Sequence, residues 1–334
     1  MPGRPARYLV APDSFKGTFA ASAVAAAIGE GLAQAGAEAD LCPIADGGEG
    51  TMAALLAKLG GRLVEAEAHD PLRRPIVAPY ALLAGGRTAV VEVAAASGLP
   101  LVAPAERDAE GADSYGTGEL IAAAIAGGAR KVLVAAGGSA STDGGRGAIE
   151  AIGGRRGLGD AELEVLCDVE TPYEDAARVF GPQKGADEAA VARLGARLRE
   201  FAETLPRDPR GLPMSGCAGG LSGGLYGALG ARLRPGALFV LRRADFSRRL
   251  RAADAVISGE GKLDEQSLEG KAVGTVAELC AAAGKPLHVI VGVDALDPLA
   301  ASRAGIASVR AASSLAAITA MAKAIGAAGA PAVT

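Results

Sequence analysis

The sequence predicts an α/β protein of two domains, and three observations carry that prediction. Both ends of the chain alternate short apolar strands with helical stretches, the middle opens on strands with no long helices between them, and glycine-rich turns bearing acidic residues follow strand-like segments. At 334 residues, 50% apolar and 22% charged, the chain has a globular composition and the length of about two domains of ~100–200 residues each.

Residues 8–11 read as a short buried strand, and 20–35 as an Ala-rich helix ended by Gly36. A second strand is expected over 39–45 and a helix over 51–59, closed by Gly60 and Gly61. Strands follow at 62–68, 76–83 and 87–94. Helix resumes at 117–126, with strands at 131–135 and 162–167. Residues 203–224, with Pro206, Pro209, Pro213 and many glycines, read as a long loop suited to covering an active site. Alternation then returns: a strand at 253–258, a helix at 273–283, strands at 287–293 and 306–309, and a last helix at 314–325.

Because the end repeats the grammar of the beginning, residues 1–61 and 246–334 are expected to form one discontinuous parallel-sheet domain, Rossmann/flavodoxin-like. Residues 62–245 are then an inserted α/β domain carrying Gly-rich phosphate loops, with the active site in the cleft between the two.

Composition narrows the function classes. Aromatics are 3% and Trp is absent, so stacking platforms for nucleic-acid bases are lacking, and a net charge of −4 argues the same way. No nucleic-acid partner is expected. Cys42, Cys167, Cys217 and Cys280 lie far apart with no paired spacing, which points away from zinc and disulfides and towards a reducing, cytoplasmic setting. No apolar run approaches the length of a membrane span, so no membrane partner is expected either. The Ala-rich helices would pack equally well within one chain or across a homo-oligomer interface.

The chemistry concentrates where apolar runs end. Asp13-Ser14-Phe15-Lys16-Gly17-Thr18 follows the first strand, at the position where open parallel sheets bind ligands. Asp13, Ser14 and Lys16 are substrate-binding candidates there, with Lys16 also a charge-neutralising catalytic group and Thr18 a helix cap; an ordinary capped turn is the plain alternative. Asp46-Gly-Gly-Glu49-Gly-Thr51 opens a helix, and Gly48–Ala53 fits the dinucleotide pattern G-x-G-x-x-A. The Asp-Gly before it and its place in the second βα unit make metal or substrate binding at least as good a reading, with Asp46 catalytic and Glu49 facing substrate.

The run from Ala135 to Gly147 holds five glycines, three hydroxyls, an Asp and an Arg between a strand and a helix, the makings of an anion-binding loop. Gly137, Gly138, Ser139, Ser141, Thr142 and Gly144 are nucleotide-binding candidates and Asp143 a metal ligand. No Walker A sequence occurs. Lys184, in Phe180-Gly-Pro-Gln-Lys-Gly185, is a further phosphate contact. Gly220-Leu-Ser-Gly-Gly224 formally matches the hydrolase elbow G-x-S-x-G, but no strand precedes it, and the two histidines, His69 and His288, read as structural. Ser258-Gly-Glu-Gly-Lys-Leu-Asp264 repeats the acidic glycine-rich turn, which makes Glu260 a metal candidate, Asp264 a second candidate base and Lys271 a phosphate contact.

Taken in order, APDSFKGT, ADGGEGT, SYGTGELI, GGSASTDGG, FGPQKGA, AGGLSGGL and SGEGKLDEQSLEGK closely resemble the glycerate kinase type 1 family over nearly the whole chain. The resemblance implies ATP-dependent phosphorylation of D-glycerate with Mg²⁺, with the 2-hydroxyl favoured, in a two-domain α/β protein. The chain is shorter than the family pattern between Gly147 and Glu164 and again after Asp168-Val-Glu-Thr-Pro172. The rival readings are a non-catalytic glycerate or nucleotide sensor and a nicotinamide-dependent oxidoreductase.

Overall fold

The computed structural model describes residues 4–15, 17–167, 169–268 and 270–329. By their contacts the residues divide into two units, Met1–Asp46 with Ala237–Thr334, and Gly47–Gly236. In chain order the strands are β1 (Arg7–Pro12), β2 (Glu38–Leu41), β3 (Gly61–His69), β4 (Pro75–Leu83), β5 (Thr88–Glu92), β6 (Lys131–Ala136), β7 (Glu162–Cys167), β8 (Arg232–Pro235), β9 (Ala255–Leu263), β10 (Leu287–Asp294) and β11 (Ile306–Ala311).

The first unit is built on one all-parallel sheet in the order β2-β1-β9-β10-β11. This is the flavodoxin-like order: β1 and β9 adjoin, and the chain leaves them towards opposite edges. Residues alternate between two covered faces. Tyr8 and Val10 pack with the helices Ala21–Gln34 and Leu315–Ala328, while Leu9 and Ala11 pack with side chains of Gly236–Arg243, Phe246–Ala252 and Ala272–Ala282. Burial on both faces is why β1 reads as an unbroken apolar run rather than an alternating one. The two Ala-rich helices close on each other within the chain, so tightly that a Cβ on Gly31 would lie 2.8 Å from the Ala322 Cβ.

Two sequence expectations shift in this unit. β2 ends at Leu41, and residues 42–46 run on as irregular backbone still tied to β1, with Cys42 N–H donating to Val10 O and Ile44 N–H to Pro12 O at 2.8 and 3.0 Å. β9 does not stop at Ser258. It continues to Leu263, with Gly259, Glu260 and Lys262 opposite Ile290, Val291 and Val293. Its glycines mark a close approach instead of a turn, because a Cβ on Gly259 would overlap the Ile290 carbonyl oxygen, with Phe15 against it at 3.6 Å.

The second unit holds a mixed sheet in the order β3-β4-β5-β6-β7-β8, antiparallel from β3 to β5 and parallel from β5 to β8. Helices Tyr115–Ala126, Arg146–Ile152 and Leu221–Leu229 contribute to its main core. The helix Thr51–Leu59 packs on β4 and β5, so the division at Asp46/Gly47 leaves it with this unit, whereas the sequence reading carried it with the first. Of the stretch 203–224 read as a cover, residues 206–213 are mostly exposed, but the glycine-rich part from Ser215 is interior, with Ser215, Cys217, Leu221 and Ser222 buried and the chain helical from Leu221. Among the described residues no helix is long and apolar enough to cross a membrane, and the four cysteines are buried and form no disulfide with one another.

Candidate active site

In the first unit, the carboxyl ends of the parallel strands meet a cavity of about 470 Å³. It lies at the switch point between β1 and β9, where the sheet leaves room above its edge. Asp13, Ser14 and Thr18 reach it from the turn after β1, Asp46 from the segment after β2, Glu260, Lys262 and Asp264 from β9 and its end, and Lys271 from the start of helix Ala272–Ala282. Five of the acidic and hydroxyl candidates read from sequence, Asp13, Ser14, Asp46, Glu260 and Asp264, therefore line one space, and Lys271, grouped above with the nucleotide contacts, lines it too. Lys16 lies outside the described residues. Thr18 does not cap the following helix, whose N-cap is Ala20; it faces the cavity.

The local geometry is set by backbone bonds. Asp13 N–H donates to Gly259 O at 2.8 Å, fixing the turn after β1 to β9, and Asp13 Oδ1 accepts from Ser14 N–H at 2.6 Å. Ser14 Oγ is buried with no hydrogen-bond partner among the described residues. Asp46 and Asp13 are buried carboxylates, 2% and 4% exposed. Asp264 is differently placed: Lys262 Nζ stands 2.9 Å from its Oδ2, and Ser267 N–H donates to Oδ1 at 3.3 Å. Burial raises its pKa, but the Lys262 bond and charge, followed by Lys271 and the Ser267 N–H, outweigh that and hold the carboxyl below its ordinary value. Asp264 is thus a firmly ionised, weakly basic group.

In the second unit, the loop 137–145 follows β6 and leads into helix Arg146–Ile152. Gly138, Gly144 and Gly145 have φ of +67°, +68° and +81°, which other residues rarely adopt. One side of the loop is pinned to the segment 97–99, with Leu99 N–H donating to Gly138 O and Ala140 N–H to Ser97 O at 2.8 and 2.9 Å. Lys184 is brought to this loop, as the sequence reading expects of a phosphate contact, yet it is enclosed: only 2% exposed, its ammonium donates to Ser139 Oγ at 2.9 Å and to the Ser141 carbonyl oxygen. Both acceptors are neutral. Burial pushes the Lys184 pKa down to about 8, against the opposing pull of Asp143 and Cys217. Ser141 Oγ and Thr142 Oγ1 are buried with no hydrogen-bond partner among the described residues.

Asp143 serves the loop itself. Its Oδ2 accepts from Ser114 N–H, Ser114 Oγ and Gly147 N–H at 3.0, 2.7 and 3.0 Å, and its Oδ1 from Gly145 N–H at 3.1 Å. Four such bonds to one carboxylate make it the anchor of the turn. Glu49 is exposed on the turn before helix Thr51–Leu59, and the preceding Gly48 backs onto Gly137, where a Cβ would lie 2.8 Å from the Gly48 Cα. At the N-terminus of that helix Met52 N–H donates to Glu92 Oε1 at 2.7 Å. A protein carboxylate thus stands where the dinucleotide fingerprint would seat a pyrophosphate, which weighs against the nicotinamide reading. The sequence reading missed Glu92, Ser114 and Tyr173, none of which sits in a glycine-rich run, and Lys262, which sits in one but was passed over for its acidic neighbours.

The glycerate kinase family model matches residues 8–157 and 154–330. The chain belongs to the glycerate kinase family. Among curated relatives it is 38% identical over 323 residues to a glycerate kinase of Haemophilus influenzae, covering 86% of this chain and 85% of that protein. It is 35% identical over 323 residues to the glycerate 2-kinase of Escherichia coli K12, with the same two coverages of 86% and 85%. The crystal structure of a protein from Salmonella typhimurium LT2, assigned as glycerate kinase 2, matches with a TM-score of 0.81 at 33% identity over 97% of this chain and 98% of that one. Membership of this kinase family agrees with the resemblance carried by the sequence motifs, and the α/β architecture agrees with the predicted fold class.

Both polar sites suit a kinase's small-molecule substrates. The loop 137–145 offers a cationic group and unpartnered hydroxyls to an anion. The first-unit cavity offers carboxylate oxygens, the ligands Mg²⁺ prefers. Among the described residues no three acidic, His or Cys side chains form a ready-made metal cage.

Proposed function

We propose that the protein transfers the γ-phosphoryl group of ATP to the 2-hydroxyl of D-glycerate, giving 2-phosphoglycerate and ADP. The observation that carries the reading is the burial of the Lys184 ammonium inside a glycine- and hydroxyl-rich loop, where among the described residues it donates to two neutral oxygens, Ser139 Oγ and the Ser141 carbonyl. An enclosed cation among unpartnered hydroxyls gains most from an anionic ligand. The name of the Escherichia coli relative, glycerate 2-kinase, supports the choice of hydroxyl.

Phosphoryl transfer asks the protein for position and charge neutralisation more than for covalent chemistry. Gly137, Gly138, Ser139, Ser141, Thr142 and Gly144, with Lys184, hold the phosphates. In the first-unit cavity Asp13 and Ser14 hold glycerate, with Lys271 adding positive charge; the role the sequence suggests for Lys16 falls outside the described residues. Asp46 accepts the hydroxyl proton as the oxygen attacks phosphorus and the bond to the leaving ADP oxygen breaks. Asp46 is taken as the base, and Asp264, whose pKa is held down by the neighbouring Lys262, is the weaker base of the two candidates. Bound Mg²⁺ would supply neutralisation of phosphate charge, with Glu260 as its protein ligand. Asp143, whose carboxylate anchors its own turn, is assigned to loop structure instead.

The test is incubation with ATP, Mg²⁺ and D-glycerate, following ADP release and resolving the phosphoglycerates by ³¹P NMR. A 2-phosphoglycerate signal supports the reading. ADP release independent of glycerate, or none at all while ligands still raise the melting temperature, would reject it.

A further inference from the structure

Tyr173 lies just after β7, in a segment to which no role falls in the reading above. Its side chain is fully buried, at 0% exposure, and Oη has no hydrogen-bond partner among the described residues. One side of the ring rests in an apolar cluster with Leu194 and Leu198 of helix Glu188–Thr204 and with Ala176 and Ala177. The other side meets two glycine-rich segments at once. A Cβ on Gly144 would overlap Tyr173 Oη, one on Gly220 would come within 2.9 Å of Cε2, and one on Gly223 would overlap Cδ2. The two segments are themselves joined by Gly144 N–H donating to Gly219 O at 3.1 Å.

Three glycines on two segments thus make room for one aromatic ring. Phenylalanine would fill the same space without leaving a buried hydroxyl unpaired, a recognised penalty. The hydroxyl lies against Gly144, and along the same loop Ser141 Oγ and Thr142 Oγ1 are likewise buried and unpartnered. Two orphaned hydroxyls on one short loop and a third packed against it, beside an enclosed Lys184, share a single resolution: they are satisfied when the loop holds its anion.

We infer that Tyr173 is a positioning residue for the loop 137–145, its ring wedging the loop against the 217–223 segment and its hydroxyl gaining a hydrogen bond only when the loop carries phosphate. This rests on the reading of 137–145 as the nucleotide phosphate loop. The hydroxyl then contributes to nucleotide affinity and nothing to the stability of the free protein.

Tyr173→Phe and Tyr173→Leu are compared with the wild type by MgATP titration calorimetry, by steady-state kinetics in both substrates, and by thermal melting. Tyr173→Phe is expected to melt at or above the wild-type temperature, with Kd and KM for MgATP raised ~10-fold, the scale of one hydrogen bond to a charged group, and KM for D-glycerate unchanged. Tyr173→Leu, which removes the wedge, should also lower the melting temperature. Wild-type nucleotide affinity in Tyr173→Phe overturns the inference alone, as does a loss of stability with equal effects on both substrates. Failure of the wild type to bind MgATP overturns the phosphate-loop reading and the inference with it.

Discussion

Lys184 Nζ donates to Ser139 Oγ at 2.9 Å, with both residues buried. A cation so enclosed is costly unless charge arrives to match it. Substituting Lys184 by Met should raise KM for ATP by ~10-fold or more while leaving the fold intact, because the methionine fills most of the space and removes the charge together with the two hydrogen bonds it donates. Unchanged nucleotide affinity would remove Lys184 from the phosphate site.

The same burial has a pH signature. The Lys184 pKa is pushed from its ordinary 10.5 down to about 8, so between those values the unfolded chain holds a proton that the folded chain has released. This contribution therefore makes stability rise with pH across that window, as the cost of the buried charge is relieved. Measured by denaturant unfolding, the wild type should gain stability relative to Lys184→Met as pH is raised from about 8 towards 10. A constant difference across that range would show that the ammonium is not held as described.

Asp46 and Asp264 line the same cavity but are not equivalent: Asp46 is buried, while Lys262 Nζ stands 2.9 Å from Asp264 Oδ2 and holds that carboxyl below its ordinary value. Asp46→Asn is expected to lower kcat by ~10²–10⁴, the usual worth of a general base. Asp264→Asn should cost kcat less, because a carboxylate whose pKa is held down is the poorer base. Near-normal kcat in Asp46→Asn would move the base elsewhere.

Asp143 accepts four hydrogen bonds, from Ser114, Gly145 and Gly147. Asp143→Ala leaves those donors unmatched and should destabilise the protein by at least ~2 kcal/mol, seen as a lower melting temperature with or without Mg²⁺. A variant of wild-type stability whose only defect is a raised Mg²⁺ requirement would restore Asp143 as a metal ligand.

Gly144 combines a φ of +68° with contact against Tyr173 Oη. Gly144→Ala should cost about 1–3 kcal/mol of stability and weaken nucleotide binding with it. A melting curve matching the wild type would show that the loop relaxes more easily than its packing indicates.

Much of the fold was legible in the chain because its signals are local. The helix at 51–59 and the strand at 162–167 appear over those same residues, since each is an apolar run bounded by glycine or charge and needs no distant partner to be recognised. The glycine-rich segments were harder. The same residue type marks a turn at Gly144, a close strand approach at Gly259 and a core contact at Gly223, and only the neighbours distinguish them. Reading 258–264 as a turn and the glycine-rich part of 203–224 as a cover failed for that reason.

By itself the sequence determined the α/β class, the family through its ordered motifs, and the carboxylates, hydroxyls and lysines that carry the chemistry. The tertiary structure alone decided which of them stand free to act. Asp143 and Asp264 look alike in sequence, yet one is spent on backbone amides and the other is held by Lys262. Lys184 reads as a turn residue within reach of phosphate, and the fold encloses it in the interior. Hydrogen bonding, burial and charge pairing depend on groups brought from distant parts of the chain, and those are properties of the folded arrangement that no local pattern encodes.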